Sequence, residues 1–259
     1  MKAKEIFAYL LGGADEILSP TCDGLIAGDE NKEVKKIGTC FKLTAELIQK
    51  AADCGIDMII THEPTFLNGD IRENAVGFDI CKWELLDKSG VTVYRFHDHA
   101  HHRAQDYIHE GFIRALDLKI KRRFQRESLG VCRYELDEDI TVKQFAERIR
   151  DSLGVEFVRI VGKDDHLVKT VCLGLGGVGY AQLHKMFEPG ADLFITGETG
   201  EVCVAEYIRD ACFFGENKAV IILGHYSSEY AGMRLLAEDL NKSFGNTVFL
   251  DSKEVYHGI

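Results

Sequence analysis

The chain repeats one local pattern several times: a helix that ends at a glycine, a strand of apolar residues, and a polar cluster after the strand. The stretch 44–55, TAELIQKAADCG, is followed by the strand candidate DMIITHE at 57–63. In the same way FDICKWELLDKSG at 78–90 is followed by VTVYRFH at 91–97. Thr44 can cap its helix, whose apolar residues recur at helical spacing. This alternation of helices and short buried strands predicts an α/β fold.

The pattern loosens after about residue 122 and then returns. GVCRYELDEDI at 130–140 and EFVRIVG at 156–162 are typical of strands, and TVKQFAERIRDSLG at 141–154 is typical of a capped helix. The segments 169–200 and 218–250 again read as strand, helix and strand. We therefore expect two α/β lobes of similar construction, residues 1–125 and 126–259, which together form one structural unit.

Composition limits the classes of protein to which the chain can belong. Its 259 residues are 46% hydrophobic, which is enough for a sizeable core. A net charge of −11 repels phosphate backbones and so disfavours nucleic acid as a partner. The basic stretch KIKRRFQR at 119–126 is interpreted as a short solvated connection. With no apolar run as long as the roughly 18 residues of a membrane span, and no signal-peptide pattern, we expect a cytoplasmic protein.

The cysteines indicate a reducing environment. They are spread singly, without a CxxC pair, and several stand in apolar runs such as TVCLGL and DACFF. We expect them to be reduced and mostly buried, which disfavours a disulfide framework or a thiolate zinc site. The eight are Cys22, Cys40, Cys54, Cys81, Cys132, Cys172, Cys203 and Cys212.

Four predicted strands end in residue types that bind metal ions. They deliver His62 and Glu63; His97, Asp98, His99, His101 and His102; Glu198; and His225 with Glu229. Taken singly, each group has a structural interpretation as a turn, a helix cap or a solvated loop. Taken together, imidazole and carboxylate without thiolate are the ligands of hydrolytic Zn²⁺, Mn²⁺ or Fe²⁺ centres. Five or more such ligands at separate strand ends indicate two ions.

The order of the motifs THEP, HDHAH, TGE and GHYSSE resembles the NIF-three-like family (NGG-one-interacting factor three), also known as GTP cyclohydrolase I type 2 homologues. The resemblance extends to CDGLIAGD at 22–29 and AADCGIDMIITHEPTF at 51–66. It implies two intertwined α/β lobes with mixed sheets, a dinuclear metal site in the cleft between them, and assembly as a ring-shaped homohexamer.

The resemblance also assigns ligands, with two departures from the family pattern. The usual HHP is HEP here, so Glu63 replaces the second histidine after His62. The usual HTNxD is HDHAH, so His97 is the motif histidine and His101 stands where a bridging aspartate is expected. GHxxxE is retained, and TGE supplies Glu198 as a base or as a partner that orients a ligand. Imidazole in place of a bridging carboxylate alters how two cations can be held close together.

A competing site lies in GLGGVG at 174–179, where Gly174, Gly176 and Gly179 match the GxGxxG pattern of dinucleotide binding. Glu198 follows about twenty residues later, as that pattern requires. The same glycines also suit close packing of a strand against a helix. A substrate phosphate at the helix N-terminus is a further reading.

Three hypotheses follow. In the first, the protein is a metal-dependent hydrolase or cyclohydrolase-like enzyme acting on a small, nucleotide-like or phosphorylated molecule. His62, Glu63, His97, His101, His225 and Glu229 would bind two divalent ions (Zn, Fe or Mn), and Glu198, His99 or His102 would move protons. In the second, the chain is a non-catalytic metal-binding oligomer that acts as a scaffold or a metal buffer. In the third, it is a dinucleotide-dependent enzyme that uses GLGGVG.

Overall fold

The computed structural model describes residues 1–125, 130–178 and 190–257, which form two compact units. The first unit contains Met1–Tyr107 and Gly232–Lys253, and the second contains Ile108–Ala231 and Glu254–Ile259. These bounds differ from the sequence division into 1–125 and 126–259. The stretch from residue 108 to 125 belongs to the second unit because its strand pairs there, and the last strand of the chain pairs in the sheet of the first unit.

The first unit is built around a five-stranded mixed sheet with the order β1-β4-β3-β2-β11. Strands β11, β2, β3 and β4 are parallel, and β1 is antiparallel to β4. The strands are β1 Gly24–Ala27, β2 Ile37–Lys42, β3 Met58–Glu63, β4 Thr92–Arg95 and β11 Thr247–Phe249.

The second unit contains a six-stranded mixed sheet with the order β5-β6-β8-β9-β10-β7. Strands β8, β9 and β10 are parallel, and the other pairs are antiparallel. The strands are β5 Ile120–Arg123, β6 Val131–Thr141, β7 Arg159–Gly162, β8 Leu167–Gly177, β9 Leu193–Glu198 and β10 Ala219–Ile222. The predicted α/β class with mixed sheets is therefore confirmed.

Helices connect these strands, and most begin and end where the sequence predicts. Thr44 and Thr141 accept the N–H of Leu47 and Gln144 as N-caps, and the helix before Gly154 ends with that glycine in the left-handed conformation. Among the described residues, no helix is long and apolar enough to cross a membrane. Within the described residues the α-helices are α1 Ala3–Leu11, α2 Ala45–Asp53, α3 Phe78–Ser89, α4 Asp98–His101, α5 Tyr107–Ala115, α6 Val142–Leu153, α7 Glu206–Phe213 and α8 His225–Phe244.

Strands β1 and β5 and helix α7 were not predicted from the sequence. Strand β1 lies in a glycine- and aspartate-rich stretch and forms because its backbone pairs with β4. The basic stretch interpreted as a connection contains β5, whose backbone pairs with β6 and whose Lys121 lies 2.6 Å from Glu135. Helix α7 buries only Ile208, so it packs little apolar surface on the core. The helix expected after GLGGVG falls outside the described residues.

The prediction that the cysteines are mostly buried is wrong, although all eight are free. Cys40 and Cys172 are buried in the two sheets. An apolar neighbour does not bury a helical residue, because only one face of a surface helix packs on the core. Of the four exposed cysteines, Cys81 lies on the surface helix α3, and Cys22, Cys54 and Cys203 lie outside the α-helices.

The two sheets share one local arrangement at the end of a central parallel strand. Strand β3 lies between β2 and β4, and β9 lies between β8 and β10. Each ends in the pattern Thr-x-Glu. The buried hydroxyl of Thr61 donates to the carbonyl of Glu63 at 3.2 Å, and that of Thr196 donates to the carbonyl of Glu198 at 3.1 Å. Both sheets therefore place polar residues at the carboxyl ends of neighbouring parallel strands, where α/β proteins bind ligands.

Lys82 on α3 gives the first unit a pH-dependent stability. Its ammonium group donates to the carbonyls of Leu43 (2.6 Å) and Thr65 (2.5 Å), and burial lowers its pKa from 10.5 to about 8. Between these two values the unfolded chain binds more protons than the folded chain. We therefore expect the free energy of unfolding of the wild-type protein, relative to that of a Lys82→Met variant, to rise as the pH increases from about 8 to 10.5.

Denaturant titrations of both proteins across this pH range measure the effect. Below pH 8 the difference between them should be constant, because the lysine is protonated in both states. Lys50→Met, at an exposed position of α2, is the matched control and should show no such rise. A difference between wild type and Lys82→Met that does not change with pH would contradict the assignment.

Candidate metal centre

Asp23, the residue before β1, holds the start of the histidine-rich segment. Strand β1 runs antiparallel to β4, so the residue before β1 lies beside those that follow β4. The Asp23 carboxylate accepts the backbone N–H groups of His97 (2.5 Å), Asp98 (3.0 Å) and His99 (2.8 Å). Its side chain is 1% exposed. These are N–H groups at the start of α4 that a helix leaves without partners, so Asp23 fixes the backbone from which the ligands project.

Three histidines of the first unit form a compact cluster. The rings of His62 and His97 stack with their centroids 4.5 Å apart, and His101 lies 5.1 Å from both. One ligand atom from each lies within 4.8 Å of the others. His62 and His101 are buried, and the His97 side chain is 25% exposed. Strand β3 supplies the first ring, and the turn from β4 into α4 supplies the others.

Each of these rings has a hydrogen-bond acceptor at Nδ1. A carbonyl or carboxylate can only accept, so Nδ1 carries the proton and a neutral ring has its lone pair on Nε2. Histidines that bind metals show this arrangement, because the acceptor fixes both the tautomer and the ring orientation. The pairs are His62 with the Phe96 carbonyl at 3.1 Å, His97 with Asp98 at 2.9 Å, and His101 with Asp106 at 2.8 Å.

The charges around His97 favour a neutral ring beside an ionised carboxylate. Burial, followed by the neighbouring His62, lowers the pKa of His97. The hydrogen bond from His97 holds the pKa of Asp98 well below its ordinary value. Glu63, predicted as a ligand, has Oε1 3.6 Å from Nε2 of His97. The group therefore offers three imidazoles and one carboxylate to a cation.

Two further histidines of the segment lie elsewhere. His99 is 1% exposed, donates from Nδ1 to Asp23 at 2.7 Å, and accepts the N–H of Leu18 at Nε2 at 2.9 Å. Both ring nitrogens are thus used within the fold, which argues against the predicted role of His99 in moving protons. His102 places Nε2 3.5 Å from Glu16, an exposed residue of the α1–β1 connection. Neither belongs to the His62–His97–His101 group.

Cys22 is a neighbour of this group that the sequence did not indicate. Its sulfur and ligand atoms of His97 and Asp98 lie within 4.8 Å of one another. The thiol donates to Asp98 at 3.3 Å. In this contact Cys22 supports the Asp98 carboxylate as a hydrogen-bond donor.

The second unit gathers Glu198, His225 and Glu229. His225 follows β10 at the first position of α8 and donates from Nδ1 to Glu198 at 3.0 Å. Its Nε2 lies 3.3 Å from Glu229, one helical turn later. Glu229 is 2% exposed, whereas the Glu198 side chain is 63% exposed. Glu198 therefore orients the imidazole, and His225 and Glu229 present a nitrogen and a carboxylate side by side.

The glycines of GLGGVG pack against this second group. A Cβ on Gly176, which has φ +71°, would lie 2.2 Å from Oε1 of Glu229 and 2.9 Å from Nε2 of His225. The Gly176 N–H donates to Ser228 Oγ at 2.9 Å. This N–H is therefore not available to a pyrophosphate, so the described part of the motif, 174–178, argues against the dinucleotide hypothesis. Gly179 lies outside the described residues.

Similarities in sequence and structure to known proteins indicate one family for this chain. The Duf34/NIF3 (NGG1p interacting factor 3) family matches residues 1–254. A GTP cyclohydrolase 1 type 2 homolog of Clostridium perfringens is 28% identical over 89% of this chain and 87% of its own. A Thermus thermophilus protein of known structure is 26% identical with a TM-score of 0.73, covering 99% of this chain and 100% of its own. A Bacillus cereus protein related to NIF3 is 17% identical with a TM-score of 0.75, covering 100% and 99%.

The fold and site define an α/β protein with two mixed sheets and groups of histidine and carboxylate side chains that can hold a metal ion. The chain belongs to the Duf34/NIF3 family. The family resemblance read from THEP, HDHAH, TGE and GHYSSE is thereby confirmed.

Asp23→Ala should strongly destabilise the protein. It leaves three backbone N–H groups and the His99 ring N–H without their acceptor. Each buried N–H group without a hydrogen-bond partner costs about 1–3 kcal/mol. We expect the free energy of unfolding, measured by denaturant titration, to fall by at least about 3 kcal/mol. Asp53→Ala removes an exposed carboxylate that pairs only locally with Gln49, and should change it by less than about 0.5 kcal/mol. Equal effects of the two substitutions would show that Asp23 does not hold the segment.

Proposed function

We propose that the protein is a metal-dependent hydrolase or cyclohydrolase-like enzyme. The observation that carries the proposal is the His62–His97–His101 group, in which every Nδ1 is held by an acceptor. Imidazoles that only filled a core would not need three separate acceptors that fix the same tautomer. This arrangement is what a divalent cation requires of its histidine ligands.

The metal ligands in this proposal are His62, Glu63, His97, His101, His225 and Glu229. Six donors exceed the four of a tetrahedral zinc site, which supports two ions. Imidazole and carboxylate suit Zn²⁺, Fe²⁺ and Mn²⁺. That the ligands of the two units form one centre, and that the protein assembles as a ring-shaped homo-oligomer, are parts of the proposal that rest on family membership.

The residues of the chain have separate roles in this mechanism. When bound, the ions would polarise a substrate oxygen and lower the pKa of water from about 15.7 to about 7. Asp98, Asp106 and the Phe96 carbonyl keep the three imidazoles in the ligating tautomer. Glu198 orients His225 and, being exposed, can exchange a proton with solvent. A small phosphorylated or nucleotide-like substrate is compatible with the net charge of −11, because the cations invert the local field.

Metal content tests the ligands directly. Protein purified without chelators should contain divalent metal, measured by elemental analysis per chain. His62→Ala and Glu229→Ala should each lower that content, because each removes a proposed ligand. His166→Gln is the control. His166 precedes β8, whereas His225 and Glu229 pack against Gly176 near the other end of that strand, so His166 lies away from these two ligands. If neither ligand substitution reduces bound metal, the proposed site is wrong.

Catalysis is tested separately from binding. Metal-loaded protein should turn over a member of a panel of nucleotides, pterins and phosphoesters. Chelation should abolish that activity, and Mn²⁺, Zn²⁺ or Fe²⁺ should restore it, because the ions supply the acidified water. Full activity of metal-free protein would overturn the proposal. Metal binding without turnover across the whole panel would instead favour the metal buffer or scaffold.

A further inference from the structure

Two adjacent serines hold the first turn of α8, which carries a proposed metal ligand. Ser228 donates to the carbonyl of His225 at 2.8 Å. Ser227, which is 4% exposed, donates to Oε2 of Glu254 at 2.9 Å. Both serines stand between the proposed ligands His225 and Glu229 in the chain. Their hydrogen bonds therefore fix the backbone from which these two ligands project.

Glu254 accepts hydrogen bonds at both of its carboxylate oxygens. Oε2 accepts the hydroxyl of Ser227, and Oε1 accepts the N–H groups of Val255 at 2.8 Å and Tyr256 at 3.3 Å. Glu254 and Ser227 belong to the same compact unit, although 27 positions separate them in the chain. The carboxylate thus connects the segment 254–256 to the start of α8.

The backbone on both sides of this contact is adapted to it. Gly224, which precedes α8, has φ +96°, and a Cβ there would lie 2.8 Å from Oε2 of Glu254. Lys253, which precedes Glu254, has φ +59°, a left-handed conformation that residues other than glycine rarely adopt. Its N–H donates to Asp251 at 2.8 Å, which supports this conformation. Rare backbone conformations of this kind persist where the surrounding structure requires them, and they are concentrated at functional sites.

The charge of Glu254 bears on the binding of a cation at this turn. The N-terminus of α8, a helix of 20 residues, carries a partial positive charge from its aligned peptide dipoles. That charge by itself would disfavour a cation held by His225, the first residue of the helix. A carboxylate beside the same turn is stabilised by the helix N-terminus and offsets its charge.

We propose that Glu254 is a positioning residue for the metal ligands His225 and Glu229. Through Ser227 it orients the first turn of α8, and through its charge it makes that turn compatible with a bound cation. The inference rests on the proposed metal-binding function of this turn. It goes beyond that function by giving a role to a residue that lies outside every motif from which the ligands were read.

Titration of the metal-free chain with Co²⁺, followed by calorimetry, tests this role in the binding step that Glu229→Ala weakens. Glu254→Ala removes both the hydrogen bond and the charge, and should weaken this step about tenfold, as loss of a residue that orients metal ligands does. Glu254→Gln retains an acceptor oxygen and should weaken it only about threefold. Adding Ser227→Ala to Glu254→Ala should cause no further loss, because one hydrogen bond links the two side chains.

The ring signals of His225 in metal-free protein provide a second readout. Glu254→Ala should shift these ¹⁵N signals, because the hydrogen bond from the ring to Glu198 depends on the same turn. Two controls should leave both the signals and the Co²⁺ affinity unchanged. Thr141→Ala removes the N-cap of α6 and so destabilises the same unit elsewhere. Glu216→Ala removes an equal, exposed charge before the opposite end of β10.

The outcomes separate this inference from the proposed function. If Glu229→Ala does not weaken Co²⁺ binding, the ligand assignment is wrong, and the role of Glu254 is wrong with it. If Glu229→Ala weakens binding while Glu254→Ala binds Co²⁺ as the wild type does, the ligand assignment stands and the positioning role is overturned. An equal loss of affinity in Thr141→Ala would show that Glu254 acts only through the stability of the unit, which would also overturn the proposal.

Discussion

Four N–H groups converge on the buried carboxylate of Asp23: three from the backbone of residues 97–99 and one from the ring of His99. Without this acceptor the chain could not turn from β4 into α4 at a buried position, because those groups would have no partner. This change of direction places His97 and His101 beside His62. A residue that contacts no proposed substrate or metal thus determines where two of the ligands lie.

Parallel strands explain why both units concentrate polar side chains at one edge of a sheet. Neighbouring parallel strands end on the same side, so His62 at the end of β3 meets residues that follow β4. In the second unit Glu198 at the end of β9 meets His225, which follows β10. The Thr-x-Glu ends of the two central strands differ at the middle position, where His62 of THE corresponds to Gly197 of TGE. There a Cβ would lie 2.6 Å from Ser228 Oγ and 2.8 Å from the His225 backbone, so packing excludes a side chain.

Most elements follow from the sequence because their local signals agree with their packing. Helices with a threonine cap or a terminal glycine, and strands with continuous apolar runs, were predicted close to their observed bounds. Elements that depend on a distant partner were missed: β1 requires β4, and β5 requires β6. For the site, the residue types predicted the candidate ligands, but they did not predict the role of each residue. His99 and His102 stand within the same segment as His97, yet only the fold shows that hydrogen bonds to Asp23 and Leu18 occupy both nitrogens of His99.

The sequence by itself determined the α/β class and the strand ends that carry imidazole and carboxylate, because these depend on periodicity and on residue type. The order of its motifs also resembled the family to which the chain belongs. The tertiary structure alone decided which histidines share a cluster, which acceptor fixes each ring, and that Asp23, Cys22 and Asp106 support the ligands. It also decided that Gly176 serves close packing against Glu229. Each of these outcomes depends on distances between residues far apart in the chain, which local pattern does not encode.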